Sequence, residues 1–90
     1  MNVKKVSIST NGVLDGKYKI VAFYLAGGTA NSTAIVYDNE SAQSGDEVIK
    51  MMALANDGNG IYLGRAAPTV SKGVSVTMAG TGAVLYIFYV

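Results

Sequence analysis

The chain has 90 residues, of which half are hydrophobic and only 14% are charged, and its formal net charge is +1. It contains no Cys, His or Trp, which excludes disulfides, thiolate or imidazole metal sites, a cysteine nucleophile and a histidine general base. The small net charge gives no field that would attract nucleic acid, so no nucleic-acid partner is expected. The length predicts a single domain, 1–90.

The N-terminal segment Val3 to Ser9 alternates loosely between polar and apolar residues and is followed by Asn11-Gly12. Asn-Gly is a strong signal for a tight turn between two paired strands, so a hairpin is expected here. The longest apolar runs, Ile20 to Ala26 and Ala83 to Val90, are well short of the ~20 residues of a membrane helix. No membrane partner is therefore expected.

Further strands follow at regular intervals. Tyr18 to Ala26 is apolar at both odd and even positions beyond Lys19, which predicts a strand that is covered on both sides. Thr33 to Tyr37 is rich in β-branched residues. Val74 to Met78 alternates cleanly, with the valines and Met78 predicted to face inward, and Gly80-Thr81-Gly82 predicts a tight turn before the last strand.

The segment Glu47 to Ala55 is ambiguous. Ser44 to Glu47 matches a helix capping box, and the apolar residues after it recur at helical spacing. Its flanks favour a strand, because Asn56 to Gly60 looks like a hairpin loop with Gly at positive-φ positions and Ile61 starts a return strand. We expect an extended strand that pairs with Ile61 to Ala66 across this loop.

Together these segments predict an all-β fold, a small antiparallel β-sandwich or jelly-roll-like barrel of seven to eight short strands. No catalytic, cofactor-binding or metal site emerges from the residues, and we expect a chain that is not an enzyme. The carboxylates of Asp38, Glu40, Asp46 and Glu47 could offer oxygen ligands to Ca²⁺, but a solvated loop is the favoured interpretation.

The C-terminal segment Ala83 to Val90 carries no charge on either face. A strand in a free two-layer sandwich normally alternates apolar and polar residues, so this one is expected to lie in or beside a subunit interface. Tyr24 and Leu25 belong to the other strand that is apolar on both faces. The predicted interface consists of Leu85, Tyr86, Ile87, Phe88, Tyr89, Tyr24 and Leu25.

Several segments in order resemble a family of small β-sandwich accessory proteins of tailed bacteriophage particles. The resembling stretches are Tyr18 to Phe23, Thr33 to Ala42, Ser44 to Ile49, Ser71 to Val76 and Gly80 to Tyr86. They are an opening strand, a strand that runs into an Asp-Asn-x-Ser-Ala turn, a loop before the next strand, the entry to a late strand, and a Gly-Thr-Gly turn before an aromatic final strand.

The resemblance implies a structural protein of the virion, most notably a capsid decoration or cement protein, with the major capsid protein or other virion proteins as partners. The excess apolar surface of the strands predicts a homo-oligomer, and the resemblance makes a trimer the first expectation. The alternative is a tail- or fibre-associated binding module for a glycan or cell-surface ligand. Its site would be formed by the loops Gly27 to Ser32, Asp38 to Asp46 and Asn56 to Gly60, whose Asn, Asp and Ser side chains suit sugar hydroxyls.

Overall fold

Alternating apolar residues build two antiparallel β-sheets that pack face to face. The computed structural model describes residues 3–39, 45–63 and 69–90, and within these ranges the chain is all-β, as predicted. The strands are β1 (Lys4–Ile8), β2 (Gly12–Asp15), β3 (Tyr18–Ala26), β4 (Ser32–Asp38), β5 (Asp46–Ala53), β6 (Gly58–Tyr62), β7 (Thr69–Val70), β8 (Gly73–Ala79) and β9 (Val84–Tyr89). The described part therefore holds slightly more strands than the seven to eight predicted.

The chain changes sheet at most of its turns. One sheet has the order β1-β9-β3-β6, with β7 also paired to β3, and the other has the order β2-β8-β4-β5. Among the described strands, only β4 and β5 are both consecutive in the chain and paired with each other. The two ends of the sandwich are therefore built by turns that cross from one layer to the other.

The expected hairpin at Asn11-Gly12 is wrong. β1 pairs with β9 and β2 pairs with β8, so the chain passes between the sheets at this point. The Asn11 side chain explains why the Asn-Gly pair does not form the predicted hairpin. Its Oδ1 accepts a hydrogen bond from the backbone N–H of Met78 at 2.8 Å, so Asn11 ties the crossing to β8 instead of closing a tight turn.

The strand predicted over Glu47 to Ala55 is confirmed by β5, but its predicted pairing is wrong. β5 pairs with β4, and β6 pairs with β3 in the other sheet. Gly58 and Gly60 are strand residues of β6, and the positive φ lies two residues before this strand, at Asn56 (57°). The turn at 54–57 therefore connects β5 of one sheet to β6 of the other. Residues 64–66 of the predicted partner strand lie outside the described residues.

The core lies between the two inner faces and is entirely aliphatic apart from Phe23 and Met51. Its buried hydrophobic residues are Ile20, Phe23, Leu25, Ala34, Val36, Met51, Ala53, Val70, Val74, Val76, Ala83, Leu85 and Ile87. Val74 and Val76 face inward as predicted. Ser75 is also fully buried, although alternation predicts an outward position, and its hydroxyl donates to the carbonyl oxygen of Asn39 at 3.0 Å.

The carboxylate of Asp38 holds the turn before β8. It accepts hydrogen bonds from the backbone N–H groups of Lys72 (2.9 Å), Ser71 (3.2 Å) and Gly73 (3.3 Å), and from the Ser71 hydroxyl (3.4 Å). These donors, led by the Lys72 N–H, hold the pKa of Asp38 below its ordinary value although partial burial opposes the shift. Asp38 therefore has a structural role at the end of β4.

Replacing Asp38 with Ala is expected to lower the free energy of unfolding by about 1 kcal/mol at pH 7, because three backbone donors lose a charged acceptor that is itself partly exposed to solvent. The folded pKa is depressed, so this contribution is complete above the unfolded pKa of about 3.9 and disappears as the pH falls through the lower folded value.

Urea unfolding of the wild type and the variant at pH 7 and in strong acid measures this difference. The difference in free energy of unfolding between the wild type and the variant should disappear in acid. The control Glu47→Gln, at an exposed position, should have nearly the stability of the wild type at either pH. An equal gap at both pH values would contradict the assigned role of the carboxylate.

Candidate binding surfaces

The outer face of the five-stranded sheet carries a group of aromatic side chains. The register across its four long strands places Lys5, Phe88, Ala22 and Tyr62 in one row. The next row is Ser7, Tyr86, Tyr24 and Gly60. We call Tyr24, Tyr62, Tyr86 and Phe88 the aromatic face. Tyr62 is 77% exposed and Tyr24 is 44% exposed, which is unusual for aromatic residues in the strands of a folded chain.

Two glycines of β6 allow Tyr24 to lie against the sheet. A Cβ atom on Gly60 would lie 2.9 Å from Cδ2 of Tyr24, and one on Gly58 would lie 2.6 Å from its Cζ. The ring therefore covers both glycines of the edge strand, and any larger residue there would displace it. This arrangement spreads the ring over β6 and leaves part of it facing solvent.

The other members extend the aromatic face toward β1. The Tyr24 and Tyr86 rings are 6.4 Å apart between centroids and tilted by 42°. The ammonium group of Lys5 lies 5.5 Å from the centroid of the Tyr86 ring, a distance at which a cation is attracted to the ring face. Lys5 and the neighbouring Ser7 are exposed, so this side of the face is open.

The structure places three of the seven predicted interface residues in the core. Leu25, Leu85 and Ile87 have no exposed surface, because they point into the core of the chain itself and cannot contact another molecule. The reason is that β9 lies in the middle of its sheet, between β1 and β3, so one of its faces already has a partner within the chain.

Three of the four remaining predicted residues lie on the outer face, and the fourth, Tyr89, is partly buried and packs against the core. Tyr24, Tyr86 and Phe88 are on the outer face, while Tyr89 packs edge-on against Tyr18 with ring centroids 4.9 Å apart. Sequence reasoning missed Tyr62, whose position opposite Ala22 depends on the β3–β6 pairing. A hairpin between β5 and β6 would have placed it in the wrong sheet.

A second apolar surface lies at the end of the β4–β5 pair. An open pocket of about 170 Å³ is lined by Asn31, Ser32, Thr33, Met52, Ala53 and Leu54. Met52 is 64% exposed and Leu54 is 66% exposed. Two long aliphatic side chains held in solvent at the rim of a pocket provide apolar area that association would bury. We call this surface the Met52–Leu54 patch.

Two of the three loops proposed for glycan recognition come together beside this patch. The Asn56 N–H donates to the carbonyl oxygen of Gly28 at 2.8 Å, and the Gly27 N–H donates to that of Asp57 at 2.7 Å. Their polar side chains already bind backbone: Asn31 accepts from the Ala55 N–H and Asp57 from the Gly58 N–H. These bonds leave fewer side-chain groups for sugar hydroxyls. In the third loop, residues 40–44 lie outside the described residues.

The remaining features of the described ranges add no further site. Within residues 3–39, 45–63 and 69–90, no three His, Cys, Asp or Glu side chains are grouped so that they could hold a metal ion. The same ranges contain no helix that could cross a membrane. Comparisons of the chain with protein-family models, with curated proteins and with solved structures found no match.

Proposed function

We propose that this chain is a non-enzymatic structural protein of a bacteriophage particle, most specifically a capsid decoration or cement protein that binds the capsid surface. The observation that supports this proposal is the presence of two separate apolar surfaces on a small folded domain. The aromatic face covers one sheet, and the Met52–Leu54 patch lies at the end of the other. A protein with two such surfaces can join one subunit to another.

The energetics of these surfaces suit association with proteins. Burying apolar area stabilises a complex by roughly 25 cal/mol per Å², and aromatic residues are enriched at the centres of protein interfaces. The aromatic face has Lys5 as a charged neighbour, and the whole chain has a net charge of +1. This charge favours protein partners over nucleic acid. The partners of the chain in this role are the major capsid protein or other virion proteins, and its location is the virion.

Quantitative mass spectrometry of purified particles from a phage that encodes the chain tests the proposal. A structural protein is expected at many copies per particle, in fixed proportion to the major capsid protein. A copy number near zero would contradict it. A specific signal for the purified chain on a glycan array, together with absence from capsids, would support the binding-module alternative instead.

A substitution in the Met52–Leu54 patch is expected to weaken incorporation. Leu54→Glu should lower the copy number at least about tenfold, because a carboxylate would have to be desolvated at the capsid contact. The chain should stay folded, since Leu54 is 66% exposed. Thr69→Glu adds the same charge at an exposed position of β7 and serves as the matched control. Equal incorporation of both variants would show that the Met52–Leu54 patch does not contact the capsid.

A further inference from the structure

We infer that the aromatic face binds an acidic surface of a different protein, with apolar contacts at its centre and carboxylates of the partner opposite two lysines at one end. The inference rests on the proposed assembling role and gives the chemistry of one partner. It leaves the Met52–Leu54 patch free for the capsid. Three observations support it: the separation of charge between the two sheets, the positions of two lysines, and the apolar residues around them.

The two sheets carry opposite charge. The described strands of the five-stranded sheet contain three lysines and no Asp or Glu, which gives them a net charge of +3. The described strands of the four-stranded sheet contain four carboxylates and one lysine, which gives them a net charge of −3. The small net charge of the whole chain therefore results from a basic side and an acidic side that nearly cancel.

Two of the lysines lie on the outer face of the five-stranded sheet. Lys5 is in the row of Phe88. Lys19 points outward because the next residue, Ile20, is fully buried. Lys19 and Val90 of the neighbouring strand exchange backbone hydrogen bonds at 3.0 and 3.3 Å. Both lysines are exposed. Two strand spacings and two residues separate them, which places their Cα atoms about 12 Å apart.

Apolar residues lie beside and between these lysines. Val90 lies between them and is 37% exposed, and Val3, which precedes β1, is 51% exposed. The Lys5 ammonium group lies 5.5 Å from the centroid of the Tyr86 ring, so the charged end of the face adjoins its aromatic centre. A matching partner is therefore apolar where it meets the rings, with carboxylates about 12 Å apart at one side.

A second copy does not supply these carboxylates through the same face. Two copies packed through their aromatic faces would bring their lysines together. Asp57, which precedes β6, does not offset this charge. It alternates with Gly58, which lies on the outer face, and its carboxylate accepts the Gly58 N–H at 2.8 Å. Like charges at the contact disfavour this arrangement.

The four-stranded sheet of a second copy is also a poor match. The Asp38 carboxylate already accepts hydrogen bonds from three backbone N–H groups. Glu47 and Lys50 lie together on the outer face of that sheet, because both pair with β4 residues next to the buried Val36. The Glu47 carboxylate is thus accompanied by an ammonium group of the same strand. A different protein is therefore the expected partner.

Nucleic acid matches this face less well than protein does. Two lysines neutralise about two phosphates, so the logarithm of the affinity for a single strand would fall with the logarithm of the salt concentration at a slope of only about −1.4. This electrostatic contribution is small for a polyanion. Most of the remaining surface is aromatic or aliphatic, and an apolar centre with charges at the rim is typical of contacts between proteins.

Photo-crosslinking from the aromatic face identifies what covers it. A benzophenone-bearing phenylalanine replaces Tyr62, whose side chain is 77% exposed, and cells that produce the phage are irradiated. Mass spectrometry of the crosslinked peptides should find a segment of a different protein in which Asp or Glu residues flank apolar ones. No specific crosslink, or a crosslink to a second copy, to nucleic acid or to a segment without carboxylates, would overturn the inference.

Charge reversal shows whether the lysines contribute to this contact. Lys5→Glu combined with Lys19→Glu should lower the crosslinking yield at least about tenfold, because two like-charge contacts replace two opposite-charge contacts. The control combines Lys50→Glu with Lys72→Glu, which changes the net charge equally at exposed positions outside the five-stranded sheet. It should leave the yield within about twofold of wild type. Circular dichroism checks that each variant is folded, and equal yields from both would overturn the inference.

The inference and the proposed function fail in different ways. A chain that is present at high copy number in particles, but crosslinks to no acidic segment, overturns the inference and leaves the proposed function intact. An acidic partner that crosslinks as expected, in cells whose particles lack the chain, contradicts the proposed function alone.

Discussion

Phe23→Ala is expected to lower the free energy of unfolding by about 3–5 kcal/mol, the cost of deleting a buried ring and leaving a cavity. Phe23 is 1% exposed and lies on β3, between Ile87 and Ile61 of the two neighbouring strands. A domain of 90 residues has a total stability of roughly 5–13 kcal/mol. The substitution therefore removes a large share of it.

Thermal unfolding followed by far-ultraviolet circular dichroism measures this loss. A decrease of the melting temperature by more than about 15 °C is expected for a domain of this size. Tyr62→Ala, in the strand next to Phe23, is the control, and it should change the melting temperature little because Tyr62 is 77% exposed. Similar effects of the two substitutions would contradict the assignment of inner and outer faces.

Gly28→Ala is expected to destabilise the chain by about 2–4 kcal/mol, because the added methyl group has no space. A Cβ atom on Gly28 would overlap the carbonyl oxygen of Thr81 and lie 2.7 Å from the Cα of Gly82. The neighbouring Thr29 N–H donates to the same Thr81 oxygen at 3.0 Å. Backbone atoms cannot move aside as a flexible side chain can, so the two loops must separate and lose this bond.

A matched glycine on β2 provides the control for this effect. A Cβ atom on Gly12 would be 3.5 Å from Cγ2 of Ile8, an ordinary van der Waals distance. Gly12→Ala should therefore change the free energy of unfolding, measured by urea titration, by less than about 0.5 kcal/mol. If Gly28→Ala is equally mild, the close approach of the loops 27–29 and 80–82 is not as described.

Local pattern was enough to predict most strands but not their partners. Tyr18 to Ala26 was predicted with the bounds that β3 has, because nine consecutive residues with strand character have no competing local structure. β5 was predicted as a strand only because of its flanks. Its partner depended on the assumption that Asn56 to Gly60 closes a hairpin, and a turn that joins two sheets uses the same residue types.

The candidate surfaces were harder to predict for the same reason. A strand that is apolar on both sides, such as β9, indicates that both faces are covered or bind something. Alternation alone does not say which face is the core. Leu85 and Ile87 became core residues because β9 lies between β1 and β3, a long-range arrangement with no local signal. The contribution of Lys5 and Tyr62 to the outer face likewise depends on this strand order.

The most direct test of the whole account is a cryo-electron microscopy reconstruction of the phage particle that encodes this chain. We expect β-sandwiches in many copies on the capsid surface, with Leu54 against the capsid and the aromatic face covered by a neighbouring subunit. A capsid that lacks such density, or sandwiches whose aromatic faces point into solvent, would contradict it.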